Sequence, residues 1–190
     1  MKKALIVIDY QNDFLSNKGK IAKKLGVKFI ERGQRISHKI QALINQFHSQ
    51  NDHVIFLMNN YNTENYKGSF KKHRKKSPYG DTALLGEWGH DLYNLEPGSK
   101  DKFIVKKFFD GFYETKLEQF LKKGKITDLY LCGINTDVCV FHTAIGAMIR
   151  GYNVTIIKDA TATITNHKNI FLNYLSKFVG VKIKNLKNYE

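Results

Sequence analysis

Short apolar runs alternate along this chain with stretches whose apolar residues recur every three or four positions. The run "ALIVID" at 4–9 predicts a buried strand. Ile36, Ile40, Leu43, Ile44 and Phe47 then recur at helical spacing and predict one amphipathic helix over 31–49. "HVIFLM" (53–58), "KFIVKKF" (102–108), "DLYLCGI" (128–134), "YNVTIIKD" (152–159) and "VKIKN" (181–185) read as further strands. Leu117, Phe120 and Leu121 mark a short helix ending near Gly124. Val138, Phe141, Ile145, Met148 and Ile149 form the expected inward stripe of another, which stops at Gly151. Phe171, Tyr174, Leu175 and Phe178 give a last helix. Residues 60–98 are polar and glycine-bearing and show no clear period. A segment that long inside a compact domain is usually functional or contains short helices.

Strands alternating with helices predict an α/β fold: a doubly wound three-layer sandwich around a mainly parallel sheet of about six strands. With right-handed crossovers, such a sheet binds its ligands outside the carboxyl ends of its strands. No internal repeat or linker is visible, so residues 1–190 are read as a single domain.

Composition narrows the class. Hydrophobic residues make up 42% of the 190 positions, as in a globular protein. No apolar run approaches the roughly 20 residues that cross a bilayer. The opening "MKKALIVIDY" has two lysines and an apolar run, but Asp9 ends the run with no small-residue cleavage site in view. It is read as the first strand, and the protein as cytoplasmic. The formal net charge is +14. Lysines are spread over the whole chain, and the only dense run, "KKHRKK" at 71–76, has no zinc-finger spacing, RNP-like aromatic signature or basic heptad beside it. A solvated basic surface is therefore expected, with no nucleic-acid or membrane partner. Of the two cysteines, Cys132 falls within a strand and Cys139 on the helix after it, which is poor geometry for a bridge.

Three residues stand out once strand ends are considered. Asp9 ends the first strand, Lys106 lies near the end of the third, and Cys139 opens the helix after the fourth. The parallel sheet brings all three to one edge. A helix N-terminus and a neighbouring ammonium both favour a thiolate. Asp9 can take the thiol proton, Lys106 can hold the charges in register, and backbone N–H groups around Cys139 can stabilise an oxyanion. Each residue also has an ordinary reading: a turn cap, one surface lysine among many, a small buried thiol.

The same residues carry a family resemblance over nearly the whole chain. "ALIVIDYQNDF", "VKKFFDGF" and "GINTDVCVFHTAIGAMIRGY" resemble the aspartate, lysine and cysteine segments of the isochorismatase-like cysteine hydrolases, a group with nicotinamidases, isochorismatases and N-carbamoylsarcosine amidohydrolases. The resemblance implies that Asp9, Lys106 and Cys139 are catalytic. It also implies a cis Ile134–Asn135 peptide bond and an oxyanion hole from the N–H groups of Asn135 and Cys139. Retention of the cysteine points to the amidase branch: attack on a carbonyl bearing nitrogen, in a small-molecule amide or ureido compound, through a thioester. Phe14 matches an aromatic bordering the substrate; Tyr61 and Trp88 are candidate walls, with core packing an equal reading for Trp88.

Nicotinamidases hold a metal through an Asp-x-His pair and a later histidine. Here the stretch reads Asn59-Asn60-Tyr61, with His73 at the later position, so no metal and no other cofactor are expected. The alternatives are a nicotinamidase with an altered metal site and a non-catalytic binding protein on the same fold. Membership also implies a homo-oligomer.

Overall fold

The computed structural model describes residues 2–188. Six strands, β1 (Lys2–Ile8), β2 (His53–Asn59), β3 (Lys102–Lys106), β4 (Ile126–Ile134), β5 (Asn153–Ala162) and β6 (Lys182–Lys184), form one sheet in the order β3-β2-β1-β4-β5-β6. Every neighbouring pair is parallel. The helices are α1 (Asn12–Leu15), α2 (Lys20–Leu25), α3 (Glu31–Gln34), α4 (Ser37–Ser49), α5 (Gly68–Lys76), α6 (Leu117–Gly124), α7 (Phe141–Met148) and α8 (Lys168–Tyr174). Among the described residues no helix is long and apolar enough to cross a membrane.

Strand periodicity splits the core in two. Leu5 and Val7 of β1 pack with Ile40, Leu43 and Phe47 of α4 on one face. Ile6 and Ile8, the alternate residues, pack on the other with Leu117 and Leu121 of α6 and Ala144 of α7. Both faces are covered, so the central strands read as unbroken apolar runs. The chain builds β1, β2 and β3 outward in one direction and then returns to lay β4 on the other side of β1. Loops leaving the carboxyl ends of β1 and β4 therefore diverge and open a crevice between them.

The structure departs from the periodicity in four places. The helix expected over 31–49 is two, α3 and α4. The Tyr10 hydroxyl donates to the Gly33 carbonyl at 2.7 Å, and that oxygen also takes the Ile36 N–H in a tighter turn. Gly33 is needed there because a Cβ would lie 2.3 Å from Leu15 Cδ2. Within 60–98 lies α5, whose one buried residue is Arg74, so no apolar stripe announces it. Of the expected stripe, Val138, Phe141, Ile145 and Met148 pack partly buried against the core, but they share the inward face with smaller residues. Thr143, Ala144, Gly146 and Ala147 face the core, while Ile149 is 75% exposed. Small residues let this helix approach closely: a Cβ on Gly146 would meet the Asp110 carboxylate at 2.5 Å. In the last helix Leu172 and Leu175 are buried, and Phe178 projects outward where a wider turn, Leu175–Val179, follows α8.

Candidate active site

Asp9 follows β1 in a left-handed backbone conformation (φ 53°), which aspartate tolerates better than most side chains. Its N–H bonds Leu57 O, and its carboxylate is buried at the crevice. Lys106 is the last residue of β3, paired in register with Asn59 of β2. It is fully buried, and its Nζ bonds Asp9 Oδ2 at 2.9 Å and the Phe108 carbonyl at 3.0 Å. Asn59 donates its side-chain N–H to the same carboxylate oxygen at 3.1 Å. Gln11 braces Asn59, accepting its backbone N–H and donating to its carbonyl. One oxygen of Asp9 is thus doubly engaged. The other, Oδ1, is buried and accepts no hydrogen bond.

Cys139 lies in a π-type turn, Thr136–Val140, that leads into α7. The Asn135 carbonyl receives the N–H groups of both Val138 and Val140. The Ile134–Asn135 peptide bond is cis, as the resemblance implies. The sulfur lies 3.4 Å from the Tyr61 hydroxyl. Burial pushes the Cys139 thiol up to about 12; the negative charge of Asp9 adds to this, and Lys106 opposes it. Removal of water thus opposes the thiolate more strongly than the Lys106 ammonium favours it. Burial by itself favours a neutral Lys106, yet the Asp9 carboxylate beside it holds its pKa above the usual lysine value.

A thiol whose pKa is raised by burial has a measurable consequence. Alkylation of Cys139 by iodoacetamide is expected to be slow at neutral pH and to rise about tenfold per unit from pH 8 to 11. Peptide mapping separates it from Cys132, which is also free and buried. A rate that levels off below pH 9 would show a preformed thiolate instead.

A cavity of about 310 Å³ reaches Asp9 and Cys139, walled by Phe14, Tyr61, Phe109 and Ile134. Phe14 and Phe109 both meet the Tyr61 ring edge to face, at 6.1 and 6.3 Å between centroids. Phe14 and Tyr61 are thus at the expected wall, and Asn135 lines the cavity beside them. Trp88 does not line it. Trp88 is half exposed in a short turn at 88–90, where its carbonyl receives the Asn12 side chain. Periodicity could not place it, because residues 77–98 fold as turns.

Tyr61 touches the sulfur directly, a contact the sequence did not announce. Arg74 and Asp137 also face the cavity. Arg74 lies within the lysine-rich run at 71–76, and Asp137 was not singled out by the sequence. The structure separates these roles: Asp137 receives the hydroxyls of Thr163 and Thr165.

Of the three positions matching the nicotinamidase ligands, His73 lines the cavity, but Asn59 and Tyr61 carry neutral side chains that are weak ligands for such a metal. Among the described residues no three His, Cys, Asp or Glu side chains come together as a metal set.

Comparison with known proteins matches residues 3–182 to the isochorismatase domain. The chain is 28% identical over 192 residues to an uncharacterized isochorismatase family protein, PncA, of Bacillus subtilis, covering 96% of this chain and 99% of that one. It is 28% identical to a probable inactive nicotinamidase of Arabidopsis thaliana, over 98% of this chain and 94% of the relative. It is also 28% identical to a ureidoacrylate amidohydrolase of Acinetobacter baylyi, over 83% and 69% of the two chains. A crystal structure of the nicotinamidase/pyrazinamidase PncA of Bacillus subtilis superposes with a TM-score of 0.83 at 27% identity, covering 97% of this chain and all of that one.

Proposed function

This chain belongs to the isochorismatase family, and from that premise we propose that it hydrolyses the C–N bond of a small-molecule amide or ureido compound through a thioester on Cys139. The carrying observation is the Asp9 carboxylate: one oxygen is fixed by Lys106 and Asn59, the other is buried without a partner, and the charge of the group acts on the Cys139 thiol.

Because the thiol is protonated at rest, its proton leaves as sulfur attacks. Sγ forms a bond to the carbonyl carbon, and Asp9 Oδ1 accepts the proton. Lys106 keeps the site's charge balanced, so that the carboxylate can remain ionised in a buried place. The N–H groups of Asn135 and Cys139 are assigned to the carbonyl oxygen, where charge develops. Collapse breaks the C–N bond, and Asp9 returns the proton to the departing ammonia or amine. A water then gives its proton to Asp9 and attacks the thioester, releasing the acid and restoring the thiol.

Names among the relatives include a nicotinamidase of Bacillus subtilis and a ureidoacrylate amidohydrolase of Acinetobacter baylyi, both consistent with C–N hydrolysis. The donor set at 59–61 disfavours the metal-bearing version of that chemistry. Ammonia release from a panel of primary amides and ureido compounds, with nicotinamide included, tests the reading. Turnover of a member other than nicotinamide is expected. Turnover of nicotinamide alone points to the altered nicotinamidase, and no turnover of any member points to a binding protein.

A further inference from the structure

The cations of α5 have different fates. Lys71 and Lys75 both reach Glu64, at 2.5 and 3.1 Å, on the outside of the helix. Arg74, on the opposite side, is 4% exposed and lines the cavity that holds Cys139. No carboxylate among the described residues forms an ion pair with it. Its Nη2 donates to the Tyr79 carbonyl at 2.6 Å, while Nε is buried without a hydrogen-bond partner. Its guanidinium carbon sits 4.1 Å from the centre of the Tyr61 ring.

A buried guanidinium with neither a counter-ion nor a full set of acceptors is costly by several kcal/mol unless something supplies them. Stacking on Tyr61 recovers part of this. Of the other charges facing the cavity, Asp9 is paired with Lys106, while Asp137 accepts the hydroxyls of Thr163 and Thr165 and forms no ion pair with Arg74. The Tyr79 hydroxyl, a second donor on this wall, is also buried and unpartnered. Arg74 covers the face of the Tyr61 ring while Cys139 meets its hydroxyl, so cation and sulfur are separated by about one phenol side chain. A guanidinium and a hydroxyl that both lack acceptors, facing an apolar-walled cavity, match a planar anion.

We propose that Arg74, with the Tyr79 hydroxyl, is the seat of a carboxylate on the substrate, a few bonds from the scissile carbonyl. The substrate class is then an amide or ureido acid rather than a neutral amide. This rests on the hydrolase reading for the reaction, but the binding of a carboxylate does not depend on it.

Two measurements keep the claims apart. The probes are a series of ω-ureido carboxylates of increasing chain length, beginning with ureidoacetate and 3-ureidopropionate, and uncharged isosteres in which the carboxylate is replaced by an isopropyl group. Calorimetry on Cys139→Ala protein reads binding alone. At least one carboxylate is expected to bind roughly tenfold to a hundredfold more tightly than its isostere. Arg74→Gln in the same background should collapse that preference toward one, and Arg74→Lys should restore part of it. Near-UV circular dichroism identifies a variant that has failed to fold, in which case Tyr79→Phe takes its place and should reduce the preference severalfold. Binding without preference for the carboxylate, no binding of any carboxylate, or a preference that survives all these substitutions overturns the proposal. Ammonia release by the unmutated protein is scored separately. Its absence overturns the hydrolase reading while carboxylate-selective binding still upholds the seat at Arg74.

Discussion

Cys139→Ala is expected to lower turnover of any amide or ureido substrate by at least about 10⁴-fold while leaving the fold in place. The size follows from the role. If sulfur forms the covalent intermediate, an alanine leaves no group to take its place, and the oxyanion donors and substrate binding supply only residual acceleration over water. The structural disturbance is small. The side chain loses one buried sulfur atom beside Tyr61 and the cavity wall, a change on the scale of about 1 kcal/mol. Thermal unfolding followed by circular dichroism therefore separates loss of chemistry from loss of structure. Retained turnover in a folded Cys139→Ala protein contradicts nucleophilic catalysis.

Lys106→Met is the second large effect, and it acts on stability as well as rate. Lys106 and Asp9 are both buried, and their contact is 2.9 Å. Removing the ammonium leaves Asp9 in a low-dielectric site with only Asn59 as a donor. Breaking one side of a buried pair typically costs about 3–5 kcal/mol, most of it from the stranded charge rather than the lost bond. The denaturation midpoint should fall accordingly. Adding Asp9→Asn removes that charge, so the double variant is expected to recover a large part of the lost stability while remaining inactive. If the single variant unfolds at the same denaturant concentration as the parent protein, the pair is not holding charge in the way described.

The sheet was readable because its strands are apolar and its helices periodic, and the strand-end rule alone brings Asp9, Lys106 and Cys139 to one edge. The positions that escaped notice did so for physical reasons. α5 is polar on nearly every side, so the burial of Arg74 depends on what the segment folds against rather than on its own pattern. Tyr61 reaches the sulfur because an isolated bridge to Thr82 folds the long segment back over the crevice, and such a long-range contact leaves no local signature. On and beside α7 the bulky residues Val138, Phe141, Ile145 and Met148 are only partly buried against the core, and Ile149 is exposed. The helix instead sets its small residues against the sheet and lets Phe141 pack edge to face on Phe171. The thiol's environment was legible only in part. A helix start and an ammonium can be read from spacing, but the burial that opposes them depends on how the loops fold over the sheet edge.

The most direct measurement is the intact mass of enzyme quenched during turnover of a substrate found by ammonia release. The account predicts a protein species heavier by the acyl fragment, mapped after digestion to the peptide bearing Cys139 and absent from Cys139→Ala. Turnover with no such species under quench conditions that preserve thioesters, or an adduct on another residue, would contradict it.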